Sequence, residues 1–198
     1  GGQNIAIGSN ALTAANAAES WNIAIGYDAM VNLDHDDATR NIAIGHYAMD
    51  DLDSFQGAHT DNIFIGYEAG SGAWDTAVSI QNVAIGNYTM DAAMNAANYN
   101  TAVGYGAGTD LTEGDSCTLI GSAAGANITV ADKNTCVGES SGFYNVDGDN
   151  NTYIGASAGQ GVNGQSSESN VGVGVNALAA IKNGDANVAI GTSCGDAI

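Results

Sequence analysis

The chain has no proline and almost no basic side chains. Its 198 residues include 28 glycines but only three basic residues, Arg40, Lys133 and Lys182. Because proline removes a hydrogen bond from a strand ladder, a glycine-rich chain without proline is compatible with stacked strands. The 22 acidic residues give a net charge of −19, which repels nucleic acid and anionic membranes. We therefore expect cations or basic partners and no nucleic acid.

Cysteine and long apolar runs are also scarce. Cys117, Cys136 and Cys194 are an odd number without paired spacing, which argues against a disulfide framework or a zinc site. We expect all three to act as small apolar fillers. No run approaches the roughly 18 apolar residues of a membrane helix, so we expect no membrane insertion of this segment. Hydrophobic residues still make up 44% of the chain, which is too many for a disordered protein.

A short phrase, Asn-Ile-Ala-Ile-Gly, recurs with small variations along the whole chain. Its glycine occurs eleven times, at spacings of 17 to 21 residues: Gly8, Gly26, Gly45, Gly66, Gly86, Gly104, Gly121, Gly138, Gly155, Gly174 and Gly191. A short period that covers an entire chain indicates a repeat architecture. We therefore predict one β-solenoid repeat domain over residues 1–198, as part of a longer fibrous protein.

Each repeat can be described by positions counted from its glycine, which is position 0. Positions −3 and −1 are β-branched and alternate with position −2, as expected for a strand. We predict a strand, a glycine corner, a second short extended piece from +1 to +4, and a polar loop. A short helical turn is the alternative for the alanine-rich window 11–20, whose length is marginal for a helix. The prediction is an all-β parallel β-roll of about eleven coils.

Position −2 is uncharged in every copy, although it alternates with two β-branched positions. A strand that is apolar on both faces is covered on both faces. We expect positions −3 and −1 to face the core of the chain, and position −2 to face a second copy of it. The residues at −3 and +4 also vary together in size in nine of eleven copies, which predicts that they share one core layer.

The motifs Asn22-Ile-Ala-Ile-Gly-Tyr-Asp-Ala-Met and Asn100-Thr-Ala-Val-Gly-Tyr-Gly-Ala-Gly resemble the head repeats of YadA-type trimeric autotransporter adhesins. They are equally similar to repeats of some phage tail fibres, and the resemblance covers essentially the whole chain. It implies a left-handed parallel β-roll, three of which pack as a homotrimer. It also implies an extracellular location, at a cell surface or in a virion tail fibre. The repeats here are longer than those of the adhesin heads, which enlarges the loops.

The most regular polar feature is asparagine at position −4. We interpret this column as a structural ladder whose amides bond along the stacked coils. Its members are Asn4, Asn22, Asn41, Asn62, Asn82, Asn100, Asn134, Asn151, Asn170 and Asn187.

Oxygen-rich loops suggest a possible calcium site. Asp147, Asp149 and Asn150 are the candidate ligands, and further acidic clusters lie at 34–37 and 50–53. None has the spacing of a known calcium loop, so solvated loop charge is the favoured interpretation. The histidines His35, His46 and His59 match no zinc signature, and we expect them at the surface.

Several tyrosines share positions +1 and +2, and other aromatic residues lie in the loops. They either bind a sugar or a protein receptor or pack a loop onto its neighbour. No nucleophile elbow, phosphate loop or dinucleotide fingerprint is present, and no carboxylate pair is singled out for a polysaccharide depolymerase. We therefore expect no enzyme and no cofactor.

The functional prediction is a structural and adhesive fibre segment, either an adhesin head or a tail-fibre shaft. Its acidic loops would attach to a host-surface glycan or protein receptor. The alternative is an extracellular filament subunit stacked end to end. Joining Ile198 to Gly1 would place two repeat glycines 15 residues apart, which is close to the native spacing.

Overall fold

One three-residue strand forms at each copy of the repeat. The computed structural model describes residues 2–13, 19–33, 38–51, 58–74 and 77–196. The strands are β1 Ile5–Ile7, β2 Ile23–Ile25, β3 Ile42–Ile44, β4 Ile63–Ile65, β5 Val83–Ile85, β6 Thr101–Val103, β7 Thr118–Ile120, β8 Thr135–Val137, β9 Thr152–Ile154, β10 Val171–Val173 and β11 Val188–Ile190. We number the coils by their strands. The window 14–18, where a helical turn was the alternative, lies outside the described residues.

All eleven strands form one parallel sheet in sequential order, from β1 to β11. Each repeat position stacks on the same position of the next coil, as in the pairing of Ile23 with Ile42 and of Ala24 with Ala43. The predicted all-β parallel β-solenoid is confirmed. No helix occurs in the part of the chain that the structure describes, and hence none that could cross a membrane.

The strand faces are opposite to those predicted. Position −2 is the buried one: Ala24, Phe64 and Leu119 are fully buried. Positions −3 and −1 face outward, and Ile85, Ile120 and Ile154 remain 39 to 41% exposed. The prediction failed because it assigned the bulkier residues to the core. The interior of the roll is narrow, so a strand residue must be small wherever the residue facing it across the interior is large.

The opposite wall of the interior is position +4. A methyl group added at Gly70 would lie 2.4 Å from Phe64 Cδ1, and one at Gly159 would lie 2.2 Å from Tyr153 Cδ1. Alanine or glycine at −2 goes with leucine or methionine at +4 in coils 1, 2, 3, 5 and 10, and a larger −2 residue goes with glycine in coils 4, 7, 8 and 9. The prediction that −3 and +4 share a core layer is therefore wrong. Positions −2 and +4 are the ones in contact, and a larger side chain at one goes with a smaller side chain at the other.

The prediction of a second extended piece is also wrong, because positions +1 to +4 form a turn. Backbone φ is positive at +2 and +4 in every coil, between 46° and 68°. The N–H groups of this turn bond alternately to the two neighbouring coils: Tyr47 donates to the Tyr27 carbonyl and Met49 to the Ala69 carbonyl, both at 3.0 Å. A left-handed conformation disfavours β-branched residues, and neither position contains valine, isoleucine or threonine. The absence of β-branched residues at +2 and +4 therefore indicates the turn in the sequence.

The glycine at position 0 is required by close stacking of the coils. Its φ lies between 130° and 148°, which side chains rarely allow. A Cβ at Gly26 would lie 2.2 Å from the carbonyl oxygen of Gly45 in the next coil. The column therefore packs backbone directly against backbone.

The loops contribute one large apolar side chain to the interior of most coils. Leu33, Trp74, Met94, Leu111 and Ile128 are all fully buried, seven or eight residues after their repeat glycine. The sequence prediction treated these loops as polar. They form the second wall of the core instead, and only their remaining residues face solvent.

Candidate functional site

The asparagine column forms a continuous hydrogen-bonded ladder inside the roll. The Oδ1 atom of one asparagine accepts the backbone N–H of the next coil, as in Asn22 to Asn41 at 2.9 Å. Its Nδ2 donates to a loop carbonyl of the following repeat, as in Asn22 to Ala38 at 2.9 Å. From Asn22 to Asn170 the column is at most 1% exposed. These amides hold each strand to its loop, and no ligand reaches them.

Cys117 interrupts this ladder. Its N–H donates to Asn100 Oδ1 at 2.8 Å, and its thiol lies 3.2 Å from the Ala131 carbonyl. Burial raises the pKa of this thiol to about 11, so it keeps its proton at neutral pH and serves as a donor. Sulfur is a weak acceptor, so the N–H of Asn134 loses the amide oxygen that other coils provide. Cys136 is also a buried free thiol, as predicted for a small filler, whereas Cys194, in the last coil, is exposed.

A second ladder runs along position −6 and was missed in the sequence. Here the side chain of the later coil accepts the N–H of the earlier one. Asp115 accepts from Asn98, Asp132 from Asp115, and Asp149 from Asp132, at 2.7 to 2.8 Å. In the sequence, this ladder is indicated by Asn or Asp recurring at constant spacing. These carboxylates satisfy backbone donors at the edge of the strands.

The three candidate calcium ligands have different surroundings in the described structure. Asp149 Oδ1 is bonded to the Asp132 N–H, and Asn150 adopts a left-handed turn conformation with φ 60°. Asp147 lines an open depression of about 400 Å³ together with Ser166 and Asn183. Among the described residues, no group of three or more His, Cys, Asp or Glu side chains could hold a metal ion. The acidic cluster 34–37, residues 52–53 of the second cluster and His35 lie outside the described residues.

One histidine is buried, contrary to the prediction. His59 is 1% exposed, and its ring packs on Trp74 at a centroid distance of 5.2 Å. Its Nδ1 accepts the backbone N–H of Ser79 at 3.1 Å. His59 therefore belongs to the loop wall of the core, while His46 is exposed.

The outward face of the sheet consists of β-branched side chains over its whole length and is largely apolar. Positions −3 and −1 contribute isoleucine, valine or threonine in every coil, and threonine is confined to position −3 of coils 6 to 9. In the inner coils the exposure of this face reaches 41% at Ile154. With about 4.8 Å per coil and about 3.3 Å per residue, the face measures roughly 50 by 10 Å in projection. This projected area lies within the range of the largest apolar patches on soluble proteins, which are often functional.

A row of five tyrosines follows the glycine column through coils 2 to 6. Tyr27, Tyr67 and Tyr105 are at position +1, and Tyr47 and Tyr88 are at +2. Successive rings meet edge to face, with centroid distances of 5.4 to 6.2 Å. The three tyrosines at +1 are 37 to 61% exposed. We refer to these five residues as the tyrosine row.

In coils 2 to 5, hydrogen-bonding side chains occupy the position of the +1/+2 pair that tyrosine does not. Asp28 and Glu68 occupy +2, and His46 and Asn87 occupy +1, so that they alternate with the tyrosines. Asn87 Oδ1 accepts the Tyr67 N–H at 3.0 Å, which fixes the pattern. The charge of Asp28 raises the pKa of Tyr27, and a hydrogen bond with Glu68 raises that of Tyr67 to about 12. The phenols of Tyr27 and Tyr67 therefore stay protonated at neutral pH.

Two further carboxylates lie close to the tyrosine row. Burial raises the pKa of Asp50 and of Asp91 to about 6, and in both cases the charge of Glu68 raises it further. Asp50 Oδ1 is buried without a hydrogen-bond partner. Both aspartates are half-buried at position +5 and are ionised at neutral pH at a cost in solvation.

The tyrosine row ends at a cleft of about 310 Å³. Tyr105 and Phe143 form its aromatic walls, and Ala123 and Ala126 lie among its lining residues. Asp110 adds a carboxylate to the lining. The volume is at the lower limit of small-molecule sites.

These features define a β-solenoid repeat protein with a smooth apolar sheet face and an acidic, tyrosine-rich corner. Folds of this kind are commonly structural. Comparison with protein-family models, with curated proteins and with solved structures finds no match for the chain. The interpretation of function therefore depends on the geometry described above.

Proposed function

We propose that this chain is a structural and adhesive segment of an extracellular fibre, which assembles as a homotrimer and presents its loops and corners for attachment. The observation that carries the proposal is the apolar outward face of the sheet. Positions −3 and −1 are regularly β-branched, yet the chain leaves them partly exposed to solvent. Covering them with identical faces would remove this surface from water.

The shape of the face supports this assembly as well as its composition does. A flat stripe of about 500 Å² on each chain, extended by the side chains beside it, approaches the roughly 800 Å² per partner of a stable interface. Three rolls packed around one axis would cover the outward sheet faces of all three chains and leave none of them uncovered. The resemblance to trimeric adhesin heads and tail fibres supports this number, the left-handed winding and a non-enzymatic role at a cell surface or in a virion fibre.

The test measures association with one charge placed inside the face and one outside it. Native mass spectrometry of the wild type is expected to give about three times the chain mass of 19.8 kDa. Ile120→Asp, on the face and 39% exposed, is expected to dissociate the trimer. Val130→Asp is the matched control, because Val130 is 45% exposed but lies in a loop.

Circular dichroism on both variants separates dissociation from unfolding. A wild type that stays monomeric at micromolar concentration would overturn the proposal, as would equal effects of the two substitutions. The end-to-end filament remains the second candidate, because each coil stacks in register on the next through parallel strand pairing, which a further copy could continue. Open filaments in electron micrographs would favour it.

A further inference from the structure

We propose that the tyrosine row binds an extended, lysine- or arginine-rich peptide segment of a partner protein along the long axis of the rod. This inference deepens the proposed function, since it assigns a chemical class of partner to one surface of the fibre. Aromatic faces next to carboxylates recognise cations, because the ring faces and the anions both attract positive charge. The tyrosine row provides both in alternation.

The charge around the row selects a basic ligand over a neutral one. Asp28, Glu68, Asp50 and Asp91 surround the rings and influence one another electrostatically. The only basic side chain before Lys133 is Arg40, and it is paired with Asp61 at 2.7 Å. In the part of the chain that the structure describes, no lysine or arginine forms an ion pair with the carboxylates of the row, and a guanidinium or ammonium group from a partner would neutralise them.

The dimensions of the row match a short extended peptide. Five coils at about 4.8 Å place the first and last tyrosine about 19 Å apart, which equals about six residues of extended chain. At the Tyr105 end, the cleft offers Ala123 and Ala126 to the aliphatic part of a long basic side chain and Asp110 to its charged end. The rings stack from coil to coil, so they are held in place before a ligand arrives, which lowers the entropic cost of binding.

The experiment titrates fluorescein-labelled hexa-arginine and hexalysine into the wild-type protein and follows fluorescence anisotropy at low and high salt. Replacing two neighbouring rings, Tyr67→Leu with Tyr88→Leu, is expected to weaken binding about tenfold. Tyr67→Phe with Tyr88→Phe keeps the rings and is expected to stay within about threefold. Tyr99→Leu is the matched control, because Tyr99 is 55% exposed but lies outside the row.

Charge is tested in the same way. Glu68→Gln is expected to weaken binding and to reduce its salt dependence more than Glu139→Gln, a control at position +1 of coil 8. Equal effects of the two glutamate substitutions would show attraction by net charge alone and would overturn the inference. Unchanged binding by the double leucine variant would also overturn it. So would binding of a neutral β-linked hexasaccharide in place of the peptides.

The outcome can be separated from that of the proposed function. A wild-type trimer that does not bind either peptide overturns the inference and leaves the fibre proposal intact. A monomer that binds through the tyrosine row supports the inference and overturns the trimer.

Discussion

At the scale of the residue, asparagine at position −4 meets three requirements at once. It accepts a backbone N–H from the next coil, donates to a loop carbonyl, and in most coils also accepts from the next asparagine's Nδ2. Aspartate has no donor for the carbonyl, and serine lacks the length to reach both partners. The ladder therefore requires this side chain wherever the interior is dry.

Restoring the ladder at Cys117 is expected to stabilise the protein. Cys117→Asn would supply an amide oxygen to Asn134 and a stronger donor to the Ala131 carbonyl, for a gain of about 1 kcal/mol. Chemical denaturation measures the difference. Cys194→Asn is the control, because this cysteine is exposed and outside the ladder, and no gain is expected there. A lower stability of Cys117→Asn would mean that the thiol fits this position better than an amide.

At the scale of the element, each coil is a thin section whose volume is fixed by two facing positions. Position −2 on the strand and +4 on the turn divide the space between them, and the chain varies which of the two is large. Tyr153 is paired with Gly159 in coil 9, whereas Gly172 is paired with Leu178 in coil 10. Close packing makes the sum matter more than either residue.

A double-mutant cycle at Tyr153 and Gly159 tests this exchange. Gly159→Leu alone is expected to destabilise by about 2 kcal/mol through a clash with the ring, and Tyr153→Ala alone by about 3 kcal/mol through a cavity. The double variant is expected to recover much of that loss, because leucine already occupies position +4 at Leu178 with φ 56°. Strictly additive free energies of unfolding would show that the two positions do not share space.

At the scale of the whole molecule, the protein is a rod with very unequal surfaces. One face is apolar, the loops and one corner are acidic, and the net charge is −19. Like charges repeated along a rod repel one another, which keeps it soluble but weakens the folded state. The half-buried Asp50 and Asp91 concentrate this effect at the tyrosine row.

Mild acid is expected to stabilise the monomeric fold. The pKa of Asp50 and Asp91 is raised to about 6 by burial, above the ordinary value of 3.8. The folded state therefore binds more protons between these values, and stability falls as pH rises from 4 to 6. Each aspartate, discounted for its exposure, contributes on the order of 1 kcal/mol.

Melting temperatures between pH 4.5 and 7.5 measure this dependence. Asp50→Asn and Asp91→Asn are expected to raise the melting temperature at pH 7 and to flatten its pH profile. Asp147→Asn, an exposed loop carboxylate, serves as the control. A wild-type melting temperature that is lower at pH 5 than at pH 7 would contradict the expectation.

Parts of the turn and of the candidate surface were readable in the sequence, and other parts were not. The tyrosine columns at +1 and +2 were visible as a pattern, but their contact from coil to coil needed the stacking distance. The −6 ladder and the turn from +1 to +4 left compositional signs: Asp or Asn at one position, and no β-branched residue at the others. Trp74 and His59 were assigned to loops with no sign that the loops fold inward.

The sequence by itself determined the period, the strands and the glycine corner. A copy of the same motif every 17 to 21 residues can stack only on itself, and Gly26 stacked on Gly45 leaves no room for a side chain. Only the tertiary structure decided which strand face is inside. Alternation gives two uncharged faces without an orientation. The interior closed by the +4 turn and the loop wall holds position −2, whose size is matched to position +4, and leaves the isoleucines outside. That choice makes Ile120 and its column an outer surface of the molecule.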